Sequence, residues 1–153
     1  MSSRKRSRSR KSRKTSKRRK QKGGQQMSNR QKKEIALKFM VALQKCDANL
    51  FKSIVTPDFV WTVPGTSIIS GEALGVDGIL QRCKTIHQYG AKLTIEHIFY
   101  GTNDIGLGMH NTGQHNNKLL DEHLIILFRL SNNKIQRIDN LLLDIPMLNK
   151  YFV

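Results

Sequence analysis

The stretch Phe59-Val60-Trp61-Thr62-Val63-Pro64-Gly65 is the most specific local pattern in the chain. Its first five residues are mostly the aromatic and β-branched types that favour strands, and Pro64-Gly65 ends the strand. A loop rich in Gly and Ser follows, through Ser70-Gly71 and Gly75. Beyond that loop, apolar residues at helical spacing predict a helix over about residues 76–89, which Gly90 is placed to end.

Helices are also predicted on the N-terminal side of this strand. Ser28 and Gln31 have the Ser-x-x-Gln spacing of a capping box, which begins a first helix. Asp47 is placed to cap a short second helix that must end near Pro57, because proline cannot continue a helix. The apolar side chains that share one face of the first helix are Ile35, Phe39, Leu43 and Cys46.

Strands are predicted on the C-terminal side. After Gly90 the alternation of apolar and polar residues predicts four strands, at about 92–101, 105–113, 121–130 and 134–143. Helices followed by a meander of strands are typical of the α+β class. The 127 residues from Met27 to Val153 are enough for one domain with one core.

The predicted strand 121–130 is apolar on both of its faces. Leu124, Ile126 and Phe128 point one way, whereas Ile125 and Leu127 point the other way. An antiparallel sheet usually leaves one face to solvent, so this strand needs a second cover. We expect a homodimer that packs sheet against sheet. The alternative is that the C-terminal residues Met147, Leu148, Tyr151 and Phe152 cover that face.

Three segments, taken in order, resemble the SnoaL-like branch of the nuclear-transport-factor-2-like (NTF2-like) superfamily. They are Phe39-Met40-Val41-Ala42-Leu43 followed by Asp47, then Phe59 to Gly65, then Phe128-Arg129-Leu130 with Lys134-Ile135. The resemblance covers about residues 29–148. It implies a cone-shaped α+β fold, with three N-terminal helices packed on a curved, mostly antiparallel sheet. Ketosteroid isomerases, polyketide cyclases and limonene epoxide hydrolases share that fold, so the fold alone does not define a reaction.

The catalytic residues of the ketosteroid isomerases are not matched in this chain. Their tyrosine, carboxylate base and second aspartate correspond to Phe39, Val63 and Ile126. None of these side chains can donate or accept the protons that the reaction requires. The resemblance therefore argues against isomerase activity of that type.

The epoxide hydrolase residues are not matched either. The Arg-x-Asp pair of those enzymes falls near Asn103 and Ile105, and their second aspartate near Asn140. Asp104 and Asp139 lie next to these positions, so the missing match does not exclude epoxide hydrolase activity. Whether the protein is an enzyme stays undecided, with the balance toward a non-catalytic protein.

Several polar and apolar residues remain as site candidates within the implied cone. A histidine oriented by a carboxylate can act as a general base, so the candidate catalytic residues are His110, Asp121 and His123. A small apolar ligand would fit a pocket lined by Trp61, Phe39, Val63, Met109, Asn140 and Leu142. Packing and hydrogen bonding within the core are the alternative roles for all of these residues.

No metal or cofactor is predicted. The five histidines and two cysteines show no His-x-His, His-Glu-x-x-His or Cys-x-x-Cys spacing. Cys46 and Cys83 are most simply reduced core residues of an intracellular protein.

The first 26 residues form a separate basic segment, which we call the tail. It carries 13 of the chain's 27 basic residues and no acidic residue, whereas the remainder has 14 basic and 11 acidic residues, a net charge of about +3. With no apolar residue after Met1, the tail is expected to be disordered. Its basic residues are Arg4, Lys5, Arg6, Arg8, Arg10, Lys11, Arg13, Lys14, Lys17, Arg18, Arg19, Lys20 and Lys22.

The charge of the tail predicts binding to nucleic acid or another polyanion, or a nuclear address. A solubilising extension, or translation that begins at Met27, is the alternative. The tail lacks the apolar stretch of a secretory signal, and no apolar run in the chain is long enough to span a bilayer. An intracellular location follows as an expectation.

The sequence is therefore consistent with two classes of function. The first is a non-catalytic or small-ligand-binding homodimer held on a polyanion by its tail. The second is a small-molecule enzyme, a cyclase, isomerase or hydrolase, that uses His110 or His123 with Asp121. An open interior pocket of several hundred Å³ would favour the enzyme, and an interior filled by side chains would favour the first class.

Overall fold

The protein is described by a computed structural model over residues 26–153. The thirteen basic side chains of the tail lie outside these described residues. In chain order, the elements are α1 (Asn29–Lys45), α2 (Ala48–Ile54), β1 (Val55–Val63), β2 (Gly71–Leu74), α3 (Gly75–Gln88), β3 (Lys92–Tyr100), β4 (Asp104–His115), β5 (Lys118–Ser131), β6 (Lys134–Leu142) and α4 (Ile145–Tyr151).

The helix starts follow the predicted caps. Ser28 Oγ accepts a hydrogen bond from the Gln31 amide, and the Gln31 side chain accepts one from the Ser28 amide, which completes the capping box of α1. Asp47 accepts from the Leu50 amide and caps α2, which ends at Ile54. α1 and α2 therefore begin at the predicted caps, and both precede the first strand.

The six strands form one sheet in the order β2-β1-β6-β5-β4-β3. Neighbouring strands are antiparallel except β1 and β6, which are parallel. We call the sheet face that packs on the helices the inner face and the opposite one the outer face. On β5 the inner-face residues are Leu120, Glu122, Leu124, Ile126 and Phe128, all buried, and they alternate with outer-face residues from Asp121 to Arg129.

The core is built around Phe39 of α1. Its ring lies 5.3 Å from that of Phe51, 5.7 Å from Trp61 and 5.4 Å from Phe128, measured between centroids. All four side chains are at most 2% exposed. The aromatic contacts join α1 and α2 to the inner face, so the architecture is the predicted α+β arrangement of three N-terminal helices on a mostly antiparallel sheet.

Two short elements were not predicted. Strand β2 occupies part of the Gly- and Ser-rich loop and pairs with β1, so Ala73 lies opposite Trp61. Helix α4 begins where Asp144 caps the Met147 amide and Pro146 occupies the first turn. Of the C-terminal residues given as the alternative cover for one face of the sheet, Leu148 and Phe152 pack on the inner side and leave the outer face uncovered.

The prediction of reduced cysteines is also wrong. Cys46 ends α1 in the left-handed conformation, with φ 48°, and Cys83 lies buried on α3. The two Cα atoms are 6.0 Å apart, within the range that a disulfide requires, and the two sulfur atoms are bonded. The sequence did not predict this pair, because the two cysteines are 37 residues apart and no local spacing connects them.

Candidate functional site

An interior cavity of about 30 Å³ lies between the inner face of the sheet, α3 and α4. That volume holds about one or two water molecules. Its walls are mostly apolar, with Leu93, Leu124 and Leu142 on the sheet side and Leu148 and Phe152 at the C-terminal end. The interior is thus closer to a filled cone than to an open pocket of several hundred Å³.

Glu122 is the most unusual residue of this cavity, because a carboxylate is rarely buried so completely. Its side chain is 1% exposed. One oxygen, Oε1, accepts hydrogen bonds from the Leu143 amide at 2.7 Å and the Asp144 amide at 2.9 Å. These two bonds hold the carboxylate in place and also anchor the connection between β6 and α4.

The other oxygen of Glu122 has no hydrogen-bond donor among the described residues, and neither has the side-chain oxygen of Asn111 on the neighbouring strand. Asn111 is directly opposite Glu122 in the pairing of β4 with β5. Glu122 Oε2 and Asn111 Oδ1 are both buried, and neither has a hydrogen-bonding partner among the described residues. An unpaired buried acceptor costs about 1–3 kcal/mol, so this pair favours a molecule that brings a donor.

Arg82 provides the positive charge of the interior. It donates hydrogen bonds to the Trp61 carbonyl at 2.7 Å and the Gly71 carbonyl at 2.9 Å, and its guanidinium lies 4.8 Å from the centre of the Trp61 ring. Burial lowers the pKa of Arg82 to about 10, so the side chain stays charged at neutral pH. Arg82 and Glu122, two residues of opposite formal charge, both line the cavity.

Four of the six residues predicted to line a ligand pocket do line this cavity, namely Trp61, Val63, Asn140 and Leu142. The Trp61 indole N–H donates to Asn140 Oδ1 at 2.9 Å, which uses the polar end of that tryptophan within the fold. Phe39 and Met109 are buried elsewhere in the core and do not border the cavity.

The three predicted catalytic residues come together, but on the outer face. His110 Nε2 and Asp121 Oδ1 are 2.6 Å apart, and the His110 and His123 rings stack with centroids 4.1 Å apart. The hydrogen bond from His110 lowers the pKa of Asp121. Because His110 and His123 alternate with the inward-pointing Met109, Glu122 and Leu124, they point away from the interior cavity.

The middle of the outer face is apolar and exposed. The exposed fractions are 51% for Phe99, 36% for Ile125, 54% for Leu141 and 79% for Leu143. Gly106 and Gly108 lie opposite Phe99 and His97 on the neighbouring strand. A Cβ atom on Gly108 would come within 3.2 Å of both side chains, so glycine lets them lie across β4.

Polar groups lie at both ends of this apolar surface. His110, Asp121 and His123 lie at one end. Arg137 lies at the other end, where it donates hydrogen bonds to Asp139 at 2.9 Å and to Thr62 at 2.9 Å. Arg129 is 3.5 Å from Asp139 in the same group. The outer face therefore has an apolar centre between two charged ends.

Three interior polar residues were missed by the sequence analysis. Glu122 and Asn111 continue the inward alternation of Leu124, Ile126 and Phe128 and of Ile105, Leu107 and Met109. Arg82 follows Ile79 by three positions on the buried side of α3. The available signal was the phase of each pattern, which puts a polar or charged residue where an apolar core residue is expected.

No protein-family model matches the sequence, and a search of curated protein sequences finds no significant match. Solved structures do match. The fold is similar to that of Bal32a from a soil-derived mobile gene cassette, with a TM-score of 0.74, 18% identity, and coverage of 81% of this chain and 98% of Bal32a.

Two further structures support the same fold. An NTF2-like protein from Burkholderia xenovorans LB400 matches with a TM-score of 0.73 at 14% identity, over 83% of this chain and 99% of that protein. A candidate SnoaL-like polyketide cyclase from Jannaschia sp. CCS1 matches with a TM-score of 0.66 at 13% identity, over 84% of this chain and 97% of that one. The chain therefore has the NTF2-like fold that SnoaL-like proteins share, as the sequence resemblance predicted.

Within residues 26–153, no helix has both the length and the apolar character to cross a membrane.

Proposed function

We propose that the domain is a non-catalytic binding protein that holds a small ligand inside the cone, at Glu122 and Asn111. The observation that carries this proposal is the pair of buried acceptor oxygens, Glu122 Oε2 and Asn111 Oδ1, which line a small cavity. A ligand that donates a hydrogen bond to them would remove the cost of leaving both acceptors unpaired.

The charge and walls of the cavity define the class of ligand. Arg82 and Glu122 have opposite formal charges, so a neutral molecule adds no uncompensated charge to the interior. The apolar walls favour an apolar body, and the two acceptors favour one hydroxyl group on it. Because the cavity measures about 30 Å³, a ligand of more than a few non-hydrogen atoms requires Leu148 and Phe152 to move.

Phenol and toluene provide a direct test, because they differ in one hydroxyl group and have similar size. We expect phenol to raise the melting temperature of the protein more than toluene does at equal concentration, since only phenol donates to Glu122. Differential scanning calorimetry measures both shifts. Equal shifts would show that the acceptors play no part in binding, and the absence of any shift would count against an interior site.

An enzyme is the second candidate, and the free oxygen of Glu122 is the observation in its favour. A buried carboxylate that is held through one oxygen can accept a proton at the other, next to the carbonyl of a bound substrate. Among the structural neighbours is a candidate polyketide cyclase. Exchange of the α-hydrogens of a small enolisable ketone in D₂O, abolished by Glu122→Gln, would favour the enzyme over the binding protein.

We also propose that the protein is a homodimer joined through the outer face. The apolar centre formed by Phe99, Ile125, Leu141 and Leu143 and its two polar ends have the composition of an interface core and rim. The C-terminal segment packs on the inner side and leaves this surface exposed. A second copy of the chain is a suitable partner, because a twofold axis brings each apolar centre against the other.

The tail is proposed to hold this dimer on nucleic acid or another polyanion, within the cell and with the nucleus as one destination. Support comes from the sequence, in which 13 basic residues occur without one acidic residue. Such a segment binds through release of the counterions of the phosphate backbone, with little dependence on base sequence.

Replacing all thirteen Lys and Arg residues of the tail by Gln in the full chain should abolish binding to a random-sequence DNA duplex. The wild-type affinity should fall steeply as the salt concentration rises. A plot of log K against log salt should have a slope of about −0.9 for each phosphate contacted. Fluorescence anisotropy measures both effects. The matched control is Lys33→Gln with Lys38→Gln, two exposed lysines of α1, which should bind like the wild type. Binding that survives removal of the tail charges would reject the assignment.

A further inference from the structure

The outer face contains a cluster of metal-ligating side chains outside the interior site. Glu96, His110 and His123 come from β3, β4 and β5, and one ligand atom from each lies within 4.8 Å of the other two. In the single chain these side chains are 38%, 29% and 50% exposed, respectively, and they lie at the polar end of the surface proposed for the dimer, where an ion can reach them from solvent. No metal was predicted, because residues on three different strands produce no recognisable spacing in the sequence.

A bulge in β3 places the carboxylate of this cluster. Ile95 pairs with Met109 and His97 pairs with Gly108, which leaves Glu96 as the extra residue between them. Bulges commonly re-aim a side chain. Here Glu96 and the following His97 both face outward, and the two oxygens of Glu96 lie 3.7 Å from His110 Nδ1 and 3.3 Å from His123 Nδ1.

These two distances are longer than a good hydrogen bond and match the spacing of ligands around a metal ion. Bonds of about 2.0 Å to Zn²⁺ in a tetrahedral arrangement put neighbouring ligand atoms about 3.3 Å apart. The His110 and His123 rings are stacked, with 9° between their planes, and each Nδ1 lies near a different oxygen of Glu96, so one ring must tilt for both Nδ1 lone pairs to meet the same ion. One ligand atom from each of the three residues lies within 4.8 Å of the other two, so modest side-chain rotations bring all three to one ion.

Asp121 supplies the supporting contact that a metal-binding histidine usually has. Its Oδ1 is 2.6 Å from His110 Nε2. When the Nε2–H of His110 donates a hydrogen bond to Asp121, Nδ1 is the unprotonated nitrogen, and it lies 3.7 Å from Glu96 Oε1. Carboxylate–histidine–metal arrangements of this kind orient the imidazole and raise its basicity.

We infer that Glu96, His110 and His123 bind one divalent transition-metal ion, with Zn²⁺ the best match, and that Asp121 orients His110 for this purpose. Two imidazole nitrogens and one carboxylate oxygen are ligands that Zn²⁺ accepts, and the exposed side of the cluster leaves the fourth position to water. The site is independent of the ligand proposed for the interior, because the two lie on opposite faces of the sheet.

Titration of the full chain with ZnCl₂ by isothermal calorimetry tests this inference. The tail contains no histidine, cysteine or acidic residue to compete for the ion. The titration is run without reductant, so that Cys46 and Cys83 stay bonded and do not form a second site with His87. We expect saturable uptake of one Zn²⁺ per chain. We also expect visible d–d absorption bands when Co²⁺ replaces Zn²⁺.

The variants separate a metal site from general surface attraction. Glu96→Gln and His123→Gln should each abolish the saturable uptake, and Asp121→Asn should weaken it by about 10- to 100-fold. The matched control is His97→Gln, which removes an exposed histidine from the same strand as Glu96 and should leave Zn²⁺ affinity unchanged. Circular dichroism confirms that each variant is folded. Absence of uptake by the wild type, or equal losses in His97→Gln and His123→Gln, would overturn the inference.

Discussion

Replacing Cys46 and Cys83 together by alanine should lower the free energy of unfolding by about 3–4 kcal/mol. The disulfide closes a loop of 37 residues between the end of α1 and the middle of α3, and removing it restores conformational freedom to the unfolded chain. Urea denaturation followed by circular dichroism measures the loss. No other substitution considered above is expected to change stability as much.

Reduction of the wild-type protein provides the control for this prediction. Dithiothreitol should produce most of the same loss in the wild type and no change in the double variant. Two free thiols in the protein purified under oxidising conditions, or equal stability with and without reductant, would contradict the bond. The bond also bears on location, because cytosolic and nuclear thiols are kept reduced. In those compartments the protein would work in its less stable reduced form.

Leu141→Arg should convert the proposed dimer into a monomer at micromolar concentration. Leu141 lies opposite Ile125 in the middle of the apolar outer surface. A twofold dimer would bury two added guanidinium groups close together, at a cost that an interface of ordinary size does not offset. Light scattering coupled to gel filtration measures the mass.

The control for this substitution is Ile68→Arg, which places the same charge on an exposed apolar residue outside the sheet. Ile68 is 59% exposed and Leu141 is 54% exposed, so neither change removes core packing. We expect the Ile68 variant to keep the mass of a dimer. A wild-type protein that is a monomer at micromolar concentration would contradict the proposed dimer.

Most of the fold was predictable because its signals are local. The capping box at Ser28 and Gln31, the cap at Asp47 and the alternation after Gly90 each depend on residues a few positions apart. The turn at Asn132-Asn133 has the same local origin, because asparagine tolerates the positive φ that both residues adopt. Strand β2 was missed because its four residues, Gly71–Leu74, carry no clear alternation and depend on pairing with β1.

The site was harder to predict, because it depends on which face each side chain occupies. His110 and Asp121 were expected to lie together and do so, but one step in the strand alternation puts them outside the cone. The same alternation puts Asn111 and Glu122 inside it. The phase of α3 puts Arg82 on the buried side, but its partners, carbonyl groups of β1 and the start of β2, could not be predicted from the sequence.

Binding of phenol to the wild type and to Glu122→Gln is the measurement that tests the interior site most directly. Glutamine keeps an acceptor for the Leu143 and Asp144 amides and removes one unpaired acceptor, so the variant should be at least as stable as the wild type. The charged acceptor for the ligand is lost. In an NMR titration we predict shifts of the Leu142 and Leu148 methyl groups in the wild type, and at least about tenfold weaker binding in the variant. Equal affinity in the two proteins, or shifts confined to the outer face, would contradict the account.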